Sequence, residues 1–286
     1  MESDTPQSVL GIANGSIISN YAAYERHGFL DGESPVVWRQ GIKHDAASIM
    51  ELTEEGDRLK NRSGETVSVE PEYIYPLLKS SDLNSDDNPE PRCRVLVTQK
   101  KLGEDTTPLS QKARRLWQYL CSHEDIFLAR RSSIYEGRPP FSMFGIGDYS
   151  FTDYKVAVSG LYKTIRFRVV GPYIGRPVLL DDTCYLVPCD SAEQACVLAA
   201  LLNSPTCLAF VNSLVFLGSK RPVTKKVLQR LDLSALWSRT DRRELARATN
   251  VHLGMLGLPL IAQEAVESFV WPGTHSNRQL TFPDVV

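Results

Sequence analysis

The side chains most able to do chemistry in this sequence are basic, hydroxyl and aromatic residues that alternate in three clusters. The clusters occupy residues 130–141, 155–168 and 220–226. Lysine, arginine, serine and threonine hold proteins on phosphate groups, arginine also reads guanine edges, and aromatic rings stack on bases or wedge between them. The pattern is typical of nucleic-acid contact, and its simplest alternative is three unrelated surface patches.

The distribution of charge along the chain favours the same interpretation. The 286 residues carry a formal net charge of −2. Residues 1–91 contain seven basic and 17 acidic side chains, whereas residues 92–230 contain 20 basic and 11 acidic ones. A basic middle within an acidic chain is what a localised phosphate-binding surface requires. The acidic segment leaves a different hypothesis open, in which residues 1–91 only bind a protein partner.

A second chemistry is suggested by Asp153 and Lys155, which have the acid-x-Lys spacing of restriction-type nuclease sites. Such sites hold a divalent metal between acids on neighbouring strands. Glu136 or Asp148 could supply the second carboxylate. The alternative function is therefore a restriction-type endonuclease half that uses Asp153 and Lys155 with a divalent metal.

Two further motifs lack the chemistry that they resemble. Residues 138–141 (RPPF) have the form of the Asn/Asp/Ser-Pro-Pro-aromatic loop of amino-group DNA methyltransferases, but the Arg138 guanidinium has no acceptor for a target amine. Residues 144–147 (FGIG) resemble half of a glycine-rich cofactor loop, but no helix pattern follows them. We therefore expect no catalytic residue and no cofactor on this chain.

Cysteine and histidine are not spaced as metal ligands, because the six cysteines and five histidines form no CxxC or HxxxH pair. No metal site is expected, and Cys184, Cys196 and Cys207 are expected in the core. Six cysteines are too few for a disulfide scaffold. No apolar run approaches the roughly 18 residues of a membrane span, and the N-terminus has no basic signal region. We expect a cytoplasmic protein.

The apolar periodicity predicts an α+β fold, with a mainly antiparallel sheet region followed by a helical subdomain. Strands are predicted at 94–98, 154–159, 166–170 and 177–185, and short connections favour an antiparallel meander for the last three. Helices are predicted at 17–29, from Ser110 to His123, at 192–202 and 204–217, from Pro222 or Thr224 through Leu231, and from Asp241 onward.

Residues 80–91 have the composition of a loop with nothing to bury. The predicted domains are a helical lead-in at 1–35, a β-rich recognition region at 36–190, a helical subdomain at 191–240 and a docking tail at 241–286.

Several strings, taken in order, resemble a known family. They are SP at 34–35 with WRQGIKHD at 38–45, YPLLKSSD at 75–82, RSSIY at 131–135, PPFSMFGIGDY at 139–149, KVAVSGLYK at 155–163, LDDTCY at 180–185 and SKRPVTK at 219–225. Across roughly residues 15–236 the series resembles the C-terminal target-recognition (TaqI-like specificity) part of bacterial adenine-N6 DNA methyltransferases of restriction-modification systems.

The resemblance implies a module that reads duplex DNA. In such enzymes the N-terminal half binds S-adenosylmethionine and carries the Asn/Asp-Pro-Pro-aromatic loop, and this sequence matches neither feature. A separate methyltransferase catalytic domain or chain is thus the expected partner, and S-adenosylmethionine is expected there.

The basic clusters and the resemblance together give a set of expected DNA contacts. The residues expected to neutralise phosphates are Lys43, Arg131, Lys155, Lys163, Lys220, Arg221 and Lys225. Those expected at base edges are His44, Ser133, Tyr135 and Arg138.

Overall fold

The computed structural model describes residues 9–85 and 90–272 of the chain. The strands are β1 Gly11–Ala13, β2 Ser16–Ile18, β3 Arg39–Gln40, β4 Glu51–Glu55, β5 Arg58–Asn61, β6 Thr66–Val67, β7 Ile74–Leu78, β8 Cys93–Leu96, β9 Tyr154–Ser159, β10 Phe167–Val170, β11 Leu179–Leu180 and β12 Cys184–Cys189. The helices are α1 Tyr21–His27, α2 Ala47–Met50, α3 Ser80–Leu83, α4 Leu109–Lys112, α5 Arg114–Cys121, α6 Glu124–Leu128, α7 Ala192–Leu202, α8 Pro205–Leu214, α9 Lys225–Gln229, α10 Leu233–Arg239, α11 Arg242–Met255 and α12 Gln263–Glu267.

Two main sheets organise the described residues. The four-stranded sheet has the order β10-β9-β12-β3, and all of its pairs are antiparallel. The six-stranded sheet has the order β11-β7-β8-β4-β5-β6, and all of its pairs are antiparallel except β11 with β7. A small hairpin, β1-β2, stands apart from both. The predicted α+β class is confirmed.

The predicted meander of residues 154–185 is only partly right. β9 pairs with β10 and with β12 as expected, but β11 leaves the four-stranded sheet and pairs in parallel with β7. Parallel pairing needs a long connection, and about a hundred residues separate β7 from β11 in sequence. The chain then crosses from one sheet to the other within residues 181–183.

The four-stranded sheet is buried on both faces. Val156 and Val158 of β9 point into a cluster with α7, α8 and Trp38, whereas Ala157, between them in sequence, packs against Leu78 and Leu180 of the six-stranded sheet. This alternation is the period of two of a β-strand. The arrangement leaves neither face of β9 in water.

The six-stranded sheet has its own apolar cluster, formed with α5 and α6. Ala113, Leu116 and Leu120 recur at helical spacing, and all three are fully buried against this sheet. The sequence predicted this face. The helix itself begins at Arg114, because Ser110 lies within the short α4 and its hydroxyl donates to the carbonyl of Thr107.

The helical region begins where the sequence predicts it, because its helices carry side-chain caps. Ser191, Ser204, Thr224 and Asp241 each accept a hydrogen bond from a backbone N–H in the first turn of α7, α8, α9 and α11. Among the described residues, no single helix is long and apolar enough to cross a membrane; only α7 and α8 taken together pass that test, and they are bent by 64°.

Two local predictions are wrong. Residues 80–83 form α3 rather than a loop, and Leu83 is buried. The Asp82 carboxylate is also buried, where it accepts from the Lys79 N–H at 2.8 Å and from Arg92 at 2.7 Å, so paired polar groups replace the expected solvated acids. The N-terminal helix is shorter than predicted, because Ile17 and Ile18 belong to β2.

The proposed domain boundaries stay predictions. The large apolar cluster contains residues from either side of residue 190, including Phe167 and Leu198. Parts of the lead-in at 1–8, of the loop at 86–89 and of the docking tail at 273–286 lie outside the described residues.

The core of the six-stranded sheet can be tested at one position on α5. We expect Leu120→Ala to lower the free energy of unfolding by about 2–5 kcal/mol, because the side chain is fully buried. Leu128→Ala is the control, since Leu128 is 78% exposed and should change stability by less than about 0.5 kcal/mol. Urea unfolding measures both, and equal effects would contradict this assignment of the core.

Candidate nucleic-acid interface

One end of the four-stranded sheet gathers several loops that are far apart in sequence. In the ladders, Ser159 pairs with Cys184, Tyr185 with Gln40, and Val158 with Phe167. The residues after β3, the β9–β10 loop at 160–166 and the turn before β12 at 181–183 therefore lie at the same end. We call this end, with the segments 130–145 and 216–225 that join it, the cationic end.

Close backbone packing joins three of these segments. The Ile42 N–H donates to the Leu180 carbonyl at 2.7 Å, and Lys43 and Phe144 exchange two backbone hydrogen bonds of 2.8 Å. Glycine is required on both sides of this contact. A Cβ on Gly41 would lie 2.1 Å from the Asp181 carbonyl oxygen, and a Cβ on Gly145 would lie 2.2 Å from that of Gly41. We call this contact the glycine junction.

An ionic network follows directly from the glycine junction. The Lys43 ammonium lies 2.8 Å from a carboxylate oxygen of Asp45 and 3.9 Å from one of Asp182. Arg221, which is remote in sequence, donates to the Asp182 carbonyl at 3.0 Å and lies 3.4 Å from its carboxylate. Asp182 thereby holds two predicted phosphate contacts, Lys43 and Arg221, next to each other.

A stack of aromatic and guanidinium groups borders this network. The Tyr135 ring packs edge-on against Phe144 at a centroid distance of 5.4 Å. Arg130 lies 3.6 Å from the Tyr135 ring centroid, and Arg138 lies 5.6 Å from that of Phe144. Burial, and then the charge of Asp45, raise the pKa of Tyr135, so its hydroxyl stays protonated at neutral pH.

The loop 160–166 and the segment 216–225 meet beside the same turn. The Gly160 N–H donates to the Thr183 carbonyl at 2.8 Å. A Cβ on Gly160 would lie 3.3 Å from the Val223 carbonyl oxygen. Lys163 and Lys220 are exposed on these two segments.

Nine of the eleven predicted contacts lie in segments of the cationic end. Lys43, Tyr135 and Arg221 are partly exposed, and each is ion-paired, hydrogen-bonded or packed against a ring. Lys225 is the first residue of α9. The five exposed residues are Arg131, Ser133, Arg138, Lys163 and Lys220. The other two are buried: His44, between Lys43 and Asp45, and Lys155 on β9.

His44 does not face solvent, which argues against its predicted role at a base edge. It is 6% exposed, its Nδ1 accepts from the Ala46 N–H at 3.2 Å, and its Nε2 lies 3.7 Å from Glu51. Burial lowers the pKa of His44 to about 4, and the charge of Lys79 acts in the same direction. A neutral, buried imidazole holds the 44–46 turn rather than reading DNA.

Lys155 is fully buried, so this side chain has no surface from which to reach a phosphate. Its ammonium donates to the Thr152 carbonyl, and burial lowers its pKa to about 7. The nuclease hypothesis needs the same lysine at an open metal site. Within residues 9–85 and 90–272, no group of three or more His, Cys, Asp or Glu side chains could hold a metal ion. The structure therefore does not favour that alternative.

The Pro-Pro-Phe loop is part of the core. Phe141 is 3% exposed and packs edge-on against Trp117 and Phe127 at 5.2 and 4.8 Å. The Pro140 carbonyl accepts the Thr106 hydroxyl. An aromatic ring buried in this way cannot stack on an extrahelical base, which agrees with the exclusion based on the chemistry of Arg138.

Sequence reasoning missed the acidic partners in this site. From the sequence alone, no role in DNA contact is assigned to Asp45 or Asp182. Asp45 lies two residues after Lys43 in the sequence, but nothing in the sequence indicates that residues 43, 182 and 221 meet.

A groove of about 420 Å³ lies elsewhere, on the six-stranded sheet. Glu54, Arg58, Arg94, Tyr173 and Arg176 are among its lining residues. Arg94 is paired with Glu54 at 2.6 Å, and Arg176 donates to the carbonyls of residues 71 and 74. These guanidiniums are engaged within the fold.

Comparison with known proteins identifies a close relative. Over 228 residues, or 79% of this chain, the sequence is 40% identical to the Type II methyltransferase M.NspV of Nostoc sp.. The chain is a homologue of a Type II methyltransferase. The match covers 48% of M.NspV, so the chain spans about half the length of this curated relative.

No family model matches the chain. A solved structure of the Type IIL restriction-modification enzyme MmeI in complex with DNA aligns with 82% of this chain and 34% of that one, at 13% identity and a TM-score of 0.36. That score is too low to establish a common fold.

The glycine junction can be tested with a matched pair of glycines. Gly145 and Gly137 have nearly the same φ, +63° and +64°, but a Cβ on Gly137 would meet nothing within 4 Å. We expect Gly137→Ala to cost about 1 kcal/mol of unfolding free energy from backbone strain alone. Gly145→Ala should cost at least about 2 kcal/mol more, because the methyl group meets a backbone carbonyl. Thermal unfolding measures the difference, and equal costs would contradict the close packing.

The burial of Lys155 has a pH signature. Its pKa is about 7 when folded and about 10.4 when unfolded, so the unfolded state binds more protons between these values. The free energy of unfolding of the wild type therefore rises with pH between the folded and the unfolded pKa of Lys155. We expect Lys155→Met to stabilise the protein by about 1–3 kcal/mol at pH 7, and the gain to shrink toward pH 10.

Urea unfolding at pH 7, 8, 9 and 10 measures this gain, with Lys163→Met as the exposed control. A gain that is constant over this range, or that appears equally in the control, would show that Lys155 is not a desolvated ammonium.

Proposed function

We propose that this chain is the DNA sequence-recognition part of an adenine-N6 DNA methyltransferase. In this proposal the cationic end lies along duplex DNA, and a methyltransferase catalytic domain or chain that binds S-adenosylmethionine flips the adenine and transfers the methyl group. The observation that carries the proposal is the convergence of Lys43, Lys163 and Arg221 at one end of a sheet. The similarity to a Type II methyltransferase supports the reaction class.

The geometry suits two kinds of DNA contact, one to phosphates and one to base edges. Lys163 and Lys220 are exposed on the loops 160–166 and 216–225. From there they can contact a phosphate backbone, which positions a protein without reading sequence. Arg138 and Ser133 lie beside the Phe144–Tyr135 stack, where a guanidinium fork or a hydroxyl could reach base edges. We propose these two as the readers and the lysines as the phosphate contacts.

The proposed phosphate contacts predict a change in salt dependence. We expect Lys163→Ala and Lys220→Ala each to weaken binding to all duplex sequences about equally. Each should also reduce the slope of log K against log[salt] by about one, because one fewer counterion is released. Fluorescence anisotropy with labelled duplexes at several salt concentrations measures both quantities.

Lys112→Ala is the matched control, because Lys112 is exposed on α4 beside the six-stranded sheet. Its affinity and slope should equal those of the wild type. If the two cationic-end variants behave like Lys112→Ala, the DNA surface is elsewhere. If the wild-type chain binds no duplex at low salt, the proposed function is wrong.

A further inference from the structure

Four large apolar side chains are exposed at the cationic end. Leu161 and Tyr162 on the loop 160–166 are 37% and 36% exposed, and Phe216 and Leu217 on the neighbouring segment are 41% and 45% exposed. Removing such apolar surface from water is favourable. Their position on two adjoining loops therefore calls for a partner surface.

Hydrogen bonds hold the first residues of the loop 160–166 in place. The Ser159 hydroxyl accepts from the N–H groups of Leu161 and Tyr162 at 3.2 and 3.3 Å. The preceding Gly160 N–H is bound to the Thr183 carbonyl, as described above. The two apolar side chains at its tip are thus presented by a backbone that is already ordered.

The second apolar pair is held in the same way. The N–H and the hydroxyl of Ser219 both donate to the Phe216 carbonyl, at 2.9 and 2.8 Å, which closes a tight turn around Leu217. Preorganisation lowers the entropy that is lost when such a tip inserts into a partner.

The chemistry around these tips identifies the partner. Lys163 directly follows Tyr162, and Lys220 and Arg221 directly follow the turn that carries Leu217. The core of a protein–protein interface is depleted of charged residues, whereas apolar wedges flanked by lysine and arginine are the pattern of proteins that insert side chains between base steps. Charge complementarity therefore favours DNA over a protein surface.

We propose that Leu161–Tyr162 and Phe216–Leu217 are wedges that enter the base stack when the cationic end binds DNA. The proposal rests on the proposed function and adds that the bound duplex is deformed. The flanking cations neutralise phosphates, and the apolar tips occupy the space opened where neighbouring bases separate.

A duplex that is already unstacked tests this proposal. We compare binding of the full chain to a 25-base-pair duplex and to the same duplex with one abasic site. A wedge that must separate base pairs works against base stacking, so the wild type should bind the abasic duplex at least about tenfold more tightly.

Two double variants, Leu161→Ser with Tyr162→Ser and Phe216→Ser with Leu217→Ser, should lose most of this preference. Their salt slope should stay unchanged, because no cation is removed. Leu128→Ser is the control, since Leu128 is exposed on α6, and it should keep the full preference. Thermal unfolding confirms that each variant is folded.

The outcomes are distinct. A wild-type preference for the abasic duplex that either double variant loses supports the wedge. Equal binding of both duplexes by the wild type, or a preference that both double variants retain, overturns the wedge and leaves DNA recognition standing. Failure of the wild type to bind either duplex overturns the proposed function itself.

Discussion

The glycine junction is the contact on which the candidate site depends. Residues 41–43 lie between the backbones of 144–145 and 180–181, and there is no room for a β-carbon at Gly41 or Gly145. This close packing fixes the start of three segments at once. Lys43, Phe144 and Asp182 are each within two residues of the contact, so their relative positions follow from backbone hydrogen bonds rather than from flexible side chains.

The two carboxylates in the site set its electrostatic character. Asp45 and Asp182 hold Lys43 and Arg221 in place, but these pairs are partly exposed. Ion pairs of this kind contribute only about 0–1 kcal/mol each. A phosphate that approaches Lys43 or Arg221 therefore competes with a weak internal partner, and the acids order the cations without preventing them from binding DNA. The free protein also avoids an unscreened cluster of like charge.

How much of this could be predicted from the sequence depends on the range of the interactions. Several local signals predict the structure correctly: the caps at Ser191, Ser204 and Thr224 mark helix starts, and the spacing of Leu116 and Leu120 marks a buried face. These features depend on residues within one turn of each other. The parallel pairing of β11 with β7 is different, because it joins residues about a hundred positions apart and leaves no local trace.

Lys155 and His44 are expected from the sequence to contact DNA, but both side chains are buried. In YKVAVS the large apolar residues Val156 and Val158 lie on one face of the strand, and Lys155 and Ser159 lie on the other, which normally indicates that the second face is in water. Here the six-stranded sheet covers the second face of β9, so Lys155 points into protein. Only the tertiary arrangement decides whether such a residue is a surface contact or a buried group. The same holds for His44, whose neighbours Glu51 and Lys79 come from other segments.

The strings that carry the family resemblance have a common physical explanation. Residues 38–45, 139–149 and 180–185 are separated by up to about 140 positions, yet they contain the partners of the glycine junction and most of the network around it. A sequence pattern of this kind reflects a packing requirement, because each glycine or turn residue is constrained by a backbone contributed by another string. The segments 130–138, 160–166 and 216–225 carry exposed basic side chains next to this contact, among them Arg138, Lys163 and Lys220. In the proposed function the side chains on these segments contact DNA, and the glycine junction fixes the positions of the backbones from which they extend.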